Sequence, residues 1–121
     1  MPVNRISEKS LRKLIQGSIS EEALCVIKFY SNGCEYCTAL HDYYVDIADS
    51  VDDSNVHFFA FNVEDSPDLD SLIKINGVPT IVGVKTGLLK PRITVLEDPD
   101  PPNKRTWYYS KDIKNFIEKE K

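Results

Sequence analysis

Three cysteines, two histidines, one tryptophan and one methionine among 121 residues leave little material for metal or cofactor chemistry. A zinc site needs four ligands. The chain has no second Cys-x-x-Cys, and beyond its one such pair only His41 and the distant His57 offer nitrogen. No metal and no bound cofactor are expected, and a zinc-binding Cys-x-x-Cys protein stays only as a minor alternative. Long apolar runs are also missing. Nothing approaches the roughly 20 residues that cross a bilayer, and the N-terminus carries no continuous apolar signal segment, so a cytoplasmic protein without a membrane partner is expected. An excess of positive charge is missing too. The net charge is −4, with 15 Lys and Arg scattered rather than gathered into a stripe, which argues against a nucleic-acid partner. The chain is long enough to bury a core without disulfide staples, and residues 1–121 are expected to be a single domain.

What is there centres on Cys34-Glu35-Tyr36-Cys37. The preceding run Ala23 to Tyr30 is apolar, β-branched and aromatic, as a buried strand is, and Ser31-Asn32-Gly33 breaks it. After the cysteines, Leu40, Tyr43, Tyr44, Ile47, Ala48 and Val51 recur at helical spacing. The pair therefore falls where a strand meets a helix N-terminus, where free amides and the helix dipole lower a thiol's pKa. Two cysteines so placed can close a disulfide and open it by attack from another thiol. Cys34, first in the turn, is the expected nucleophile, and Cys37 the thiol that resolves the mixed disulfide. Tyr36 offers an aromatic lip beside Cys34. Glu35 is a favourable first-turn acid and a candidate for tuning the cysteines. Cys25, inside the predicted strand, reads as a small buried hydrophobe.

Around this pair the pattern alternates. Val3 to Arg5 is a candidate edge strand, and Ser7 a cap for a helix with Leu11, Leu14 and Ile15 on its apolar stripe, ending near Gly17. Val56 to Val63 reads as a second buried strand. Ser66-Pro67 looks like an N-cap and first helical position for a short helix through Leu69, Leu72 and Ile73. Ser110 is the expected cap of a last helix burying Ile113, Phe116 and Ile117. Helices alternating with strands and ending in a strand pair predict an α/β sandwich with a mixed sheet.

Asn76-Gly77-Val78-Pro79-Thr80, the apolar Ile81 to Val84 and the turn Lys85-Thr86-Gly87 follow the Cys-x-x-Cys in an order and spacing that resembles thioredoxin, over roughly residues 20 to 90. The resemblance implies a three-layer sandwich, a central mixed β-sheet flanked by helices, with a cis Val78-Pro79 bond before a sheet strand. It also implies that Val78 and Pro79 shape the surface on which substrate backbone lies. The activity implied is thiol-disulfide exchange at Cys34 and Cys37 that reduces disulfide-containing proteins, with a thioredoxin-reductase-like or other thiol electron donor. The expected state is a monomer. A redox-inactive protein-binding module on the same fold is the alternative.

Departures from the family pattern are local. Gly33 stands where thioredoxins carry Trp, Glu35-Tyr36 where they carry Gly-Pro, and Asp42 where a mid-helix proline is usual. Six residues before the first cysteine the family keeps a buried acid, and here stands Lys28. Strand alternation puts Val26, Lys28 and Tyr30 on one face. Either the Lys28 amine escapes to solvent or to Glu64, or it lies under the cysteines and tunes their pKa. Residues 88–103 are not explained by the resemblance and read as an insertion: the alternating Arg92 to Glu97 as a strand paired to the hairpin, then a proline-rich surface loop. Thr106 to Tyr109 is open between another strand and the approach to the last helix.

Overall fold

Burial along the strand Ala23–Tyr30 (β2) sets the architecture of this computed structural model, which describes residues 3–121. Seven of the eight β2 residues are buried, so both faces of the strand need cover. Parallel β3 (Val56–Asn62) lies on one side of it and antiparallel β4 (Thr80–Thr86) on the other, in register from Leu24 opposite Val56 and Phe29 opposite Thr80. β1 (Val3–Arg5) pairs parallel with β3 and β5 (Arg92–Val95) antiparallel with β4, giving the mixed sheet β1-β3-β2-β4-β5. Leu24 and Val26 pack with Leu40, Tyr44 and Ile47 of α2 (Glu35–Ser50) and with Ile113 and Ile117 of α4 (Ser110–Glu120). Cys25, Ile27 and Phe29 face Leu11 and Leu14 of α1 (Glu8–Ile15) and Leu69 of α3 (Leu69–Leu72). The result is the expected helix, sheet, helix sandwich. No helix among the described residues is long and apolar enough to cross a membrane.

Local chemistry explains the boundaries. Ser7 caps α1, its hydroxyl accepting from Ser10 N at 3.1 Å. The expected Ser66 cap is displaced. β3 ends at Asn62, whose side chain caps a single 3-10 turn, Val63–Asp65, by accepting from Glu64 N at 3.0 Å. That turn uses up the chain before Ser66, so α3 starts only after Asp68, and the Ser66 hydroxyl is left buried without a partner. Ser110 is the first helical residue of α4 rather than its cap, which is Tyr109. α2 runs without interruption through Asp42. β4 is longer than the apolar run suggested: Lys85 and Thr86 belong to it, and the turn falls on residues 87–91 before β5. Arg92–Val95, inside the stretch 88–103, is thus the edge strand of the hairpin itself. The proline-rich stretch follows it, and residues 103–107 close a tight turn through the bridge between Asn103 and Trp107. Thr106 to Tyr109 is therefore the approach to α4, with Trp107 at φ +68°.

Candidate active site

Gly33, at φ +75°, lets the chain turn sharply out of β2 into α2. The turn is anchored to the end of β3. Asn32 N donates to the Glu64 carboxylate, and Asn62 Nδ2 donates to Asn32 Oδ1 at 3.1 Å. So held, Cys34 occupies the N-cap of the 16-residue α2 with extended backbone, and its Sγ accepts from Cys37 N at 3.1 Å. A capping sulfur carries more negative charge as a thiolate than as a thiol, so the amide and the helix dipole favour the ionised form. Cys34 and Cys37 are disulfide-bonded, with Cα atoms 5.2 Å apart. Their exposure differs: Cys34 is half-buried, whereas Cys37 is 4% exposed. An incoming sulfur can reach Cys34, while Cys37 is shielded.

The Val78-Pro79 peptide is cis. Since Thr80 pairs with Phe29, the two residues stand beside the end of β2 from which the cysteine turn departs. Pro79 is buried, and half-buried Val78 packs on the α1/α3 side of the core. Tyr108, fully buried, donates its hydroxyl to Pro79 O at 3.4 Å and so ties this loop to the approach to α4.

Lys28 is 3% exposed and lies on the α2 face. Its Nζ is 3.2 Å from His41 Nδ1, 5.3 Å from the Tyr44 ring centroid and 5.8 Å from that of Tyr30. Glu64, the partner that one reading offered it, is instead engaged by the Asn32 amide. Burial pushes the Lys28 amine down to about 8. Lys28, His41 and Cys37 line one cavity of about 520 Å³ with Arg5, Tyr30 and Asp42. His41 is on the helix surface, as expected, yet it reaches inward through Nδ1. Cys25 is on the opposite face of the sheet, and burial raises its thiol to about 11, so it is inert toward exchange. His57 is exposed on β3, and no group of three or more His, Cys, Asp or Glu among the described residues is arranged to hold a metal.

Two neighbours of the cysteines were not foreseen. Trp107 packs edge-to-face on Tyr36 with ring centroids 5.4 Å apart, and its Nε1 donates to Asp98 Oδ1 at 2.9 Å. Arg105 lines a second cavity with Gly33, Cys34, Glu35 and Thr38. Both come from the turn before α4, which the bridge between Asn103 and Trp107 closes and in which Trp107 has a positive φ. The one available signal was the isolated aromatic run Trp107-Tyr108-Tyr109 beside prolines. Glu35 is exposed at the first turn of α2, in the same cavity as Arg105.

Comparison with known proteins agrees with this geometry. Residues 3–99 match the sequence model of the family described as Thioredoxin. No curated protein matches the chain. Among solved structures, thioredoxin of Malassezia sympodialis is similar at TM-score 0.70 and 18% identity, covering 98% of this chain and 90% of its own. Chloroplastic thioredoxin z aligns at TM-score 0.69 and 21% identity, over 98% of this chain and 94% of its own. A single-residue mutant of thioredoxin from Halobacterium salinarum gives 0.67 and 18%, over 98% and 89%. At such identities the structures speak for the fold alone, and the sequence match, which takes in the cysteine pair and Pro79, speaks for kinship: the chain belongs to the thioredoxin family.

Proposed function

We propose that the chain is a thiol-disulfide oxidoreductase that reduces protein disulfides through its Cys-Glu-Tyr-Cys site. The observation that carries this reading is the unequal exposure of two bonded cysteines at a helix N-terminus. In the dithiol form, the Cys34 thiolate attacks one sulfur of a substrate disulfide. The substrate S–S bond breaks, its second sulfur leaves as thiolate, and a Cys34-substrate disulfide forms. Cys37 then attacks Cys34 Sγ, and the substrate departs with both electrons. Reduction of the Cys34-Cys37 disulfide by a thiol electron donor, such as a thioredoxin-reductase-like protein, closes the cycle, and no bound cofactor takes part. Substrate backbone lies along Val78 and Pro79, with Tyr36 beside the reacting sulfur and Glu35 and Lys28 tuning the thiols. The Lys28 charge favours thiolate and hence the dithiol form. The protein acts as a cytoplasmic monomer of one domain, the segment 88–103 elaborating its sheet edge.

The test is turbidimetric insulin reduction with a small dithiol as donor. Acceleration by the wild type, lost in Cys34→Ser, is the expected result. A wild type that leaves the rate at the level of the dithiol alone would overturn the activity and favour a binding module on this fold.

A further inference from the structure

Arg5, Ala60 and Lys28 stand side by side across three strands. Ala60 is opposite Arg5 in the pairing of β3 with β1, and opposite Lys28 in the pairing of β3 with β2. Residues opposed in this way share a face of the sheet, so both cations rise on the α2 side, about 10 Å apart at the backbone, with only a methyl group between them. The space that a larger residue at position 60 would fill is part of the cavity of about 520 Å³, and Thr38, His41 and Asp42 of α2 form its opposite wall. The charges lining it are not balanced. Lys28 is 3% exposed, yet its amine meets a histidine nitrogen and two aromatic rings rather than a carboxylate. Burial lowers the amine to about 8, still above neutrality, so at pH 7 it is mostly an ammonium. Arg5 meets Asp65 at 3.7 Å, but both side chains are exposed and such a pair is weak in water. A buried ammonium that the chain leaves without a carboxylate, facing a cavity, is half of an ion pair.

We propose that this cavity binds a small oxoanion, the carboxylate or phosphate group of a small molecule, between Lys28 and Arg5. Binding there needs no reaction at either cysteine, so it holds whether or not the exchange activity does. Lys28 supplies a charged donor from the inner wall, and Arg5 a planar fork from the rim. With the ammonium donating to His41 Nδ1, the imidazole keeps its hydrogen on Nε2 as a further donor, and Thr38 adds a hydroxyl. Asp42 limits the charge that fits. Two positive groups against one negative suit a single anionic head group and not a polyanion. At about 30 Å³ for a water-sized group, 520 Å³ also admits an organic body behind that head group, for which the Tyr30 ring and the Val3 side chain offer an apolar surface.

Calorimetric titration of the oxidised protein at pH 7, in a chloride buffer of constant ionic strength, tests the site. The probes are inorganic phosphate and acetate, and the same head groups carrying a ring, phenyl phosphate and phenylacetate. One-to-one saturable binding of phosphate or acetate is expected, tighter for the phenyl form, with a melting temperature that rises with the bound probe. The tighter of the two bare ions identifies the head group. Lys28→Met should weaken binding about a hundredfold and Arg5→Gln about tenfold, the range for losing a hydrogen bond to a charged group. Arg5 is exposed, so its variant keeps the core and tests the site even if Lys28→Met melts abnormally. Wild-type affinity in Arg5→Gln or in a folded Lys28→Met overturns the site. A wild type that binds neither phosphate nor acetate, or a response that added chloride reproduces, overturns it as well. Phenyl forms that bind no tighter than the bare ions refute the part given to Tyr30 and Val3.

Discussion

Replacing Lys28 by Met should stabilise the oxidised protein at neutral pH, and the gain should disappear in alkali. The ammonium is 3% exposed with a histidine and two aromatic rings for company and no carboxylate among its contacts. Its pKa falls from 10.5 to about 8 on folding because burial penalises the charge. A drop of about 2.5 units at 1.36 kcal/mol each makes the charged residue a liability of up to about 3 kcal/mol. The sign follows from proton counting. Between the folded and unfolded values the unfolded chain binds the extra proton, so wild-type stability rises with pH through that window. Below about 8 the full penalty stands, and above about 10.5 it has vanished. Methionine keeps much of the stem volume against Tyr30 and Tyr44 and carries no charge. Urea unfolding of both proteins, followed by fluorescence, should show the variant more stable by about 2 to 3 kcal/mol near neutrality, with the gap narrowing steadily above pH 8. Equal stabilities at neutrality, or a gap indifferent to pH, would mean that the ammonium reaches water and that its burial does not control it.

Further outcomes concern the redox pair and the segments that frame it. Cys34→Ser should abolish exchange, whereas Cys37→Ser should accumulate a mixed disulfide that mass spectrometry detects; iodoacetamide on the reduced wild type should label Cys34 first and Cys25 only on unfolding, its thiol being raised to about 11. Lys28→Met should also make the disulfide harder to reduce, moving its potential negative by about 30 mV for every 1.4 kcal/mol of thiolate stabilisation lost, as read in a glutathione redox equilibrium. Trp107→Ala removes the edge-to-face contact with Tyr36 and should cost about 0.5 to 1.5 kcal/mol of stability while lowering kcat/KM for protein substrates more than for a small disulfide. Gly87→Ala should destabilise by about 1 to 3 kcal/mol in thermal melts, because φ is +81° and the added Cβ would lie 2.5 Å from Glu22 Cα.

How far the fold could be read in advance depended on the range of the interactions involved. β2 and α2 are written in local periodicity, and a Cys-x-x-Cys between them needs no tertiary information to be placed at a helix start. Ser66 shows where local reading stops: two residues could begin the next helical turn, Asn62 and Ser66, and the upstream one wins because β3 ends there. The lysine was visibly odd, but its partner was not. Alternation assigned Lys28 a face, while the contact with His41 depends on how α2 lies across the sheet, which no residue spacing encodes. Trp107 was least legible. A positive φ at a bulky residue has no sequence signature, and the ring it meets, Tyr36, lies far away in sequence, in the first turn of α2. The cysteines and the proline could thus be placed from the sequence, whereas the contacts of Lys28 with His41 and of Tyr36 with Trp107 could not.

Cys25 gives the sheet a role as a partition. Three thiols permit three pairings, but in the folded chain a layer of main chain separates Cys25 from the helix that carries Cys37, and only one pairing remains geometrically open. The thiol-disulfide exchange proposed above would therefore involve one electron pair per folded molecule, with no internal competitor for the Cys34 sulfur. The risk of mispairing moves to the time before the sheet has formed. A nascent or denatured chain meeting an oxidant has no such barrier, so the order of events, folding before oxidation, protects the active pair.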